Sequence, residues 1–201
     1  MESSTNQNPV LARQHWVFDM DGTLTQSVHD FEAIRSELGI KSGAPIIEAL
    51  NALPVSVAAP LWVRLDELEL DYAKLAKPMP YAVELLECLH QRGAKFGILT
   101  RNTMAGAHHT LQACGMDKYF ESQFILDRDG AEPKPSGDGI IKLMSQWQSI
   151  ADDTVMVGDY YYDLKAGRNA EVATIHIDPE GQFVWPDETD MAISCFSELK
   201  F

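Results

Sequence analysis

Apolar positions recur along this chain with two different periods, and the change from one to the other divides it. Trp16, Val17 and Phe18 form a short continuous apolar run of the kind that makes a buried strand, broken at once by Asp19, Met20, Asp21, Gly22 and Thr23. From Thr25 to Lys77 the spacing is helical. Phe31, Ile34 and Leu38 share a face, with Ser27 and Asp30 as capping residues and Gly39 as the stop. Pro45 opens a second helix carrying Ile46, Ile47, Leu50 and Leu53, and Pro54 closes it. A third helix is expected from Ala58–Pro60 onward, with Leu61, Leu65, Leu68, Tyr72 and Leu75 down one side. Pro78 and Pro80 end this segment.

From Tyr81 helices and strands alternate. Val83, Leu85, Leu86 and Leu89 make a helix stopping at Gly93, and Lys95–Leu99 is a strand that delivers Thr100, Arg101 and Asn102 at its end. Thr103–Cys114 is helical, Phe124–Leu126 is a short strand, and Asp127–Asp138 is a turn-rich loop holding Glu132, Pro133, Lys134 and Pro135. A helix over Ile140–Trp147 and a buried strand over Thr154–Val157 follow, and Gly158–Asp163 opens the next helix, through Leu164 and Ala170. Ala173–Ile177 is a strand and Met191–Phe196 a last edge strand. Strands separated by helices of this length predict an α/β fold, a parallel sheet covered on both faces. In such a sheet ligands bind beyond the carboxyl ends of the strands. Asp19, Asp21, Thr100, Lys134 and Asp159 should therefore converge.

Composition narrows the partners. The chain has 201 residues, enough for one core and a modest insertion, and 16 Lys and Arg against 30 Asp and Glu leave a formal charge of −14. That balance argues against a nucleic-acid backbone as partner. Cys88, Cys114 and Cys195 lie far apart, which suits reduced thiols better than a disulfide framework. The start, MESSTNQNPV, lacks the basic and apolar regions of a signal peptide, and no apolar run is long enough to span a bilayer. The expectation is a cytoplasmic protein with a mobile tail over residues 1–13, a core over 14–25 and 78–201, and a helical insertion over 26–77.

The candidate chemistry rests on carboxylates. Alternate residues at a strand end share a face, so Asp19 and Asp21 are expected side by side, with Gly22 allowing the chain to turn away. Two acids so close need a divalent cation, or differ in protonation, one suited to attack and the other to proton transfer. A plain turn or a calcium loop would also use this DxDG tetrad. Asp159 and Asp163 add oxygen ligands that suit magnesium, and Thr100 and Lys134 are donors able to hold phosphoryl oxygens.

Together DMDGTLT at Asp19–Thr25, the strand-ending Thr100, Lys134 in EPKP and GDYYYD at Gly158–Asp163 resemble the haloacid dehalogenase (HAD) superfamily, in its phosphoglycolate-phosphatase-like branch. The resemblance runs from Trp16 to Asp163, and Lys77–Ala82 is similar to the hinge by which that branch returns from its cap. It implies a Rossmann-like parallel sheet with a small helical cap, and a phosphatase acting on a small soluble phosphomonoester. It further implies Asp19 as nucleophile, Asp21 as general acid and base, Thr100 and Lys134 as phosphoryl-binding groups, and magnesium held by Asp19, Asp159, Asp163 and the backbone carbonyl of Asp21. Two departures from the family stand out: a shorter cap, and Tyr160, Tyr161 and Tyr162 where relatives carry smaller or more polar residues, so that tyrosine would shape the leaving-group side.

Arg101 suits either a bidentate clasp on substrate or an exposed strand end. Asn102 is expected as a helix cap, Arg64 as a surface ion pair, His108 and His109 as surface residues, and Trp62, Leu65 and Leu68 as core of the insertion. His29 lies near enough in sequence to touch substrate. A phosphomutase, or a binding protein that keeps the metal site, are the alternatives to a phosphatase. Whether the chain is a monomer or a homodimer is not legible here.

Overall fold

The computed structural model describes residues 8–26 and 30–201. The expected Ser27 cap and the candidate His29 lie outside them. Among the described residues six strands form one sheet in the order β3-β2-β1-β4-β5-β6, all parallel. They are β1 (His15–Phe18), β2 (Lys95–Leu99), β3 (Ile125–Leu126), β4 (Thr154–Gly158), β5 (Ala173–Ile177) and β6 (Met191–Ile193). The helices are α1 (Phe31–Glu37), α2 (Ile46–Asn51), α3 (Val55–Ala73), α4 (Ala82–Gln91), α5 (Met104–Ala113), α6 (Asp138–Trp147) and α7 (Tyr161–Asn169). β1 is central, between β2 and β4, so the turn holding Asp19 and Asp21 leaves from the middle of the sheet.

Alternation along β1 divides the core. Trp16 and Phe18 face the side covered by Leu85, Leu86 and Leu89 of α4 and Leu111 of α5. Val17 faces Ile140, Leu143 and Trp147 of α6 and Ala166 of α7. Each large side chain so buried contributes about 1.5–3 kcal/mol. Gly97 of β2 lies beside Val17, and a Cβ there would meet Leu143 and Trp147 at 2.9 Å, so its missing side chain is what lets α6 approach the sheet.

Helices α1 to α3 lie between β1 and β2 in sequence and pack a small cluster of their own, with Ile34, Leu38, Leu50 and Leu65 buried and Trp62 and Leu68 against it. The segments entering and leaving this group run together: Met79 N–H donates to Leu24 C=O at 2.8 Å and Gln26 N–H to Lys77 C=O at 2.9 Å.

Some boundaries differ from expectation. α3 begins at Val55, because Pro54 sets an extended N-cap at the start while Pro60 removes a single N–H from the helix ladder. The N-cap of α1 is Asp30, which accepts from Ala33 N–H at 2.9 Å. Met191–Ile193 is strand, but Phe196 belongs to a 3-10 turn and is buried. Within the stretch expected as a tail, Pro9–Ala12 form a 3-10 turn whose Val10 and Leu11 are buried in the core. Arg13 then donates to the carbonyls of Ala151 and Thr154 at 2.5 and 2.7 Å. Among the described residues no helix is long and apolar enough to cross a membrane.

The close approach of α6 makes a prediction. Gly97→Ala should lower the unfolding free energy by about 1–3 kcal/mol, the usual cost of overpacking, in a urea titration. An unchanged midpoint would mean that Leu143 and Trp147 yield without cost.

Candidate active site

Asp19 follows β1 directly and stays in register with the sheet, its N–H donating to Val157 C=O of β4 at 2.9 Å. Its side chain is buried. The chain then turns sharply through Met20–Thr25, closed by Gly22 N–H to Thr25 C=O at 2.8 Å and Thr25 N–H to Met20 C=O at 2.9 Å. Gly22 takes φ +89°, and a Cβ there would overlap the carboxyl group of Asp159. Glycine is thus needed twice over, for the backbone angle and for the space.

Asp159 lies one residue past β4, and Thr23 donates its hydroxyl to Asp159 Oδ1 at 3.0 Å. Asp163 sits in the first turn of α7, where its Oδ2 accepts from Tyr160 N–H at 3.1 Å. Carboxylate oxygens of Asp19, Asp159 and Asp163 all lie within 4.8 Å of one another. Lys134, from the loop between β3 and α6, is buried among them. Its ammonium bonds Asp19 Oδ1 and lies 2.6 Å from Asp163 Oδ1.

One cation therefore faces a crowded set of acids. Burial raises the Asp19 carboxyl well above its ordinary range; the Lys134 charge opposes this, and Asp163 and Asp159 add to it. Burial and the neighbouring Asp163 push Asp159 up to about 7, against the Thr23 hydrogen bond. For Lys134 burial acts downward, but the charges of Asp163 and Asp19 outweigh it and the ammonium is held above its usual range. The donor set is all hard oxygen, partly dehydrated and short of positive charge. It fits a small hard divalent cation.

A cavity of about 460 Å³ opens beside this cluster, with Thr100, Arg101, Arg128, Lys134 and Trp62 in its wall. Thr100 is buried at the end of β2, where its N–H donates to Leu126 C=O at 3.0 Å and its hydroxyl oxygen accepts from Asn102 N–H at 3.1 Å. Arg101 donates from Nη2 to Glu48 Oε1 of α2 at 2.5 Å. Arg128, just past β3, bonds Asp66 and, at 3.3 Å, Glu69 of α3, and lies over the Trp62 ring at 5.0 Å. Burial raises Glu69 to about 7, Arg128 opposing and Asp66 assisting.

The sheet thus brings Asp19, Lys134, Asp159 and Asp163 together, and Thr100, Arg101 and Lys134 onto one cavity. The Asp21 carboxylate stands outside the mutual 4.8 Å cluster, because the chain has left the strand by that point. It accepts from Asn102 Nδ2 at 2.7 Å. That contact corrects the reading of Asn102 as a helix cap: Thr103 caps α5, accepting from Gly106 N–H at 3.1 Å, which leaves the Asn102 amide for Asp21. Arg64 is a surface ion pair, bonding Glu37 and Glu67 at 2.6 Å each. Trp62 has a second role besides packing, as a wall of the cavity. Arg128, Glu69, Glu48 and Thr23 escaped the sequence reading. For Arg128 the signal was available, since it too follows a strand end.

Residues 15–171 match the model of a hydrolase family, the haloacid dehalogenase-like hydrolases. Pyrophosphatase PpaX of Halalkalibacterium halodurans is 28% identical over 173 residues, which cover 79% of this chain and 80% of that protein. An uncharacterised hydrolase of Saccharomyces cerevisiae, YOR131C, is 27% identical over 192 residues, covering 91% of this chain and 87% of the relative. The crystal structure of CbbY from Rhodobacter sphaeroides in complex with phosphate superposes with a TM-score of 0.72 at 18% identity, covering 93% of this chain and 96% of the other, a likeness of fold.

The crowding of acids sets a pH dependence. Asp159 has an ordinary value of 3.8 and a folded value of about 7, so between these the folded protein keeps a proton that the unfolded chain has lost. Stability of the metal-free protein should therefore fall as pH rises through that window. Glu69, raised from 4.5 to about 7, acts in the same direction. Thermal unfolding in chelator should show this slope, and Asp159→Asn with Glu69→Gln should flatten it. A slope of opposite sign would show that the carboxyls are not raised.

Proposed function

Because this chain belongs to the haloacid dehalogenase-like hydrolases, and so is an enzyme, we infer that it is a phosphatase that hydrolyses a small soluble phosphomonoester through an aspartyl-phosphate intermediate. The observation that carries this reading is the buried Asp19 carboxylate, bonded by Lys134 and ringed by Asp159 and Asp163 beside an open cavity. Magnesium would be held by Asp19, Asp159, Asp163 and the backbone carbonyl of Asp21. When bound it supplies positive charge for the phosphoryl oxygens and for the crowded acids.

In this reading Asp19 attacks phosphorus, forming an acyl phosphate as the bond to the leaving oxygen breaks. Lys134 and Thr100 hold the phosphoryl oxygens and offset charge that builds on them. Asp21 gives its proton to the departing alkoxide, then takes one from the water that cleaves the acyl phosphate and returns Asp19. The Asn102 amide orients Asp21. Arg101 is a substrate-binding group on the cavity wall.

Residues 26–77 act as a cap over the cavity, excluding bulk water from the reacting groups. Support comes from their separate apolar cluster, from the paired segments at their base, and from the ion pairs of Arg101 and Arg128 with α2 and α3. Free cysteines and the acidic chain suit a cytoplasmic enzyme acting on metabolites rather than on nucleic acid.

Two outcomes test the reading. With magnesium present, Asp19→Asn should lower hydrolysis of 4-nitrophenyl phosphate by at least about a thousandfold, and chelation should abolish it reversibly. Full turnover by the variant would remove Asp19 as nucleophile, and isomerisation of a sugar phosphate without phosphate release would favour a mutase. Asp21→Ala should cost roughly 10²–10⁴-fold with phenyl phosphate, whose leaving group needs a proton, and much less with 4-nitrophenyl phosphate. Equal losses with both esters would deny Asp21 the acid role.

A further inference from the structure

The cavity wall carries a guanidinium whose hydrogen bonding is incomplete. Arg101 donates from Nη2 to a single oxygen of Glu48 at 2.5 Å, and its centre lies 5.7 Å from the Tyr162 ring. Its Nε is buried and has no hydrogen-bond partner among the described residues. A buried donor left unpaired is costly, and calls for an acceptor. Nε and Nη2 form one edge of the planar fork, the edge that takes both oxygens of a carboxylate or phosphate side by side. Glu48 fills half of that edge.

The other cations of the wall, Arg128 and Lys134, are engaged. Arg128 is taken by Asp66 and Glu69 of α3 and by the Trp62 ring. Lys134 is shared by Asp19 and Asp163. Asp127 accepts from the N–H groups of Met104 and Asp129. Glu48 itself is a half-exposed carboxylate on a short helix of the insertion, a weakly held partner by the standard of surface ion pairs. At about 460 Å³ the cavity has room for more than a phosphoryl group.

We propose that Arg101 receives a second anionic group of the substrate, a carboxylate or phosphate that is not transferred, and that Glu48 holds that place until the substrate arrives. This rests on the phosphatase reading above and narrows its substrates to esters with an anionic leaving group. A bidentate anion uses both donors of the edge where Glu48 uses one, so the exchange is favourable. The same exchange frees α2 from Arg101, which ties the position of the insertion to the occupant of the cavity.

Calorimetry with phosphonoacetate and methylphosphonate, both inert to hydrolysis, tests this in the presence of magnesium. The wild-type protein should bind phosphonoacetate roughly tenfold more tightly. Arg101→Met should erase that preference. Glu48→Gln, an exposed and structurally mild change, should strengthen phosphonoacetate binding about two- to fivefold and leave methylphosphonate as it was. Equal affinities in the wild type, a preference that survives Arg101→Met, or no effect of Glu48→Gln would overturn the proposal. Phosphate release from phosphoglycolate, the hydrolysable ester counterpart of phosphonoacetate, is measured on the same samples. Its absence with the binding preference intact would overturn the hydrolytic reading and leave the anion site standing.

Discussion

A single buried ammonium shared between two carboxylates is the constraint around which this protein is built. Lys134 bonds Asp19 and Asp163, with Asp159 close by, in a place that water scarcely reaches. Removing charges from water is expensive, and the attraction between them repays it only when geometry and hydrogen bonding are good. Much of the local architecture serves that geometry. Gly22 leaves space for the Asp159 carboxyl, Thr23 donates to it, and the N–H of Tyr160 fixes Asp163. The remaining excess of negative charge is what makes the cluster receptive to a cation.

Parallel strand order explains how such groups meet. Asp19 and Asp159 leave adjacent strands β1 and β4 at the same edge, and Lys134 comes from the loop after β3 on the other side of β1. Every one of these strands is buried, so their carboxyl ends are held by the core rather than by the loops they carry. The insertion meets the same edge through charge. Glu48, Asp66 and Glu69 on α2 and α3 reach Arg101 and Arg128, the arginines that follow β2 and β3. Although the chain is strongly acidic, positive charge is gathered where its strands end.

Most of the α/β alternation was legible, because apolar runs such as Thr154–Val157 and the spacing of Leu85, Leu86 and Leu89 report burial directly. Errors fell at boundaries. The sequence places the start of α3 at Ala58–Pro60, whereas one missing N–H in a long helix is tolerated once Pro54 has set the cap at Val55. Val10 and Leu11 sit in a polar stretch, and only the packing of the core reveals that they are buried. Asn102 offers an amide that suits a helix cap or a carboxylate equally well. Its partner was decided by Thr103, which took the cap and left the amide facing Asp21.

What the residues determined by themselves was the set of chemical groups and the strand end at which each stands, since strand and turn propensities are local. What tertiary structure alone decided was who touches whom. Lys134 is 115 positions from Asp19 in the chain, and Arg128 is 62 from Asp66. No local rule relates such residues. Their pairing follows from the order of strands in the sheet and from the way the insertion folds back, and both depend on burying all the apolar surface at once.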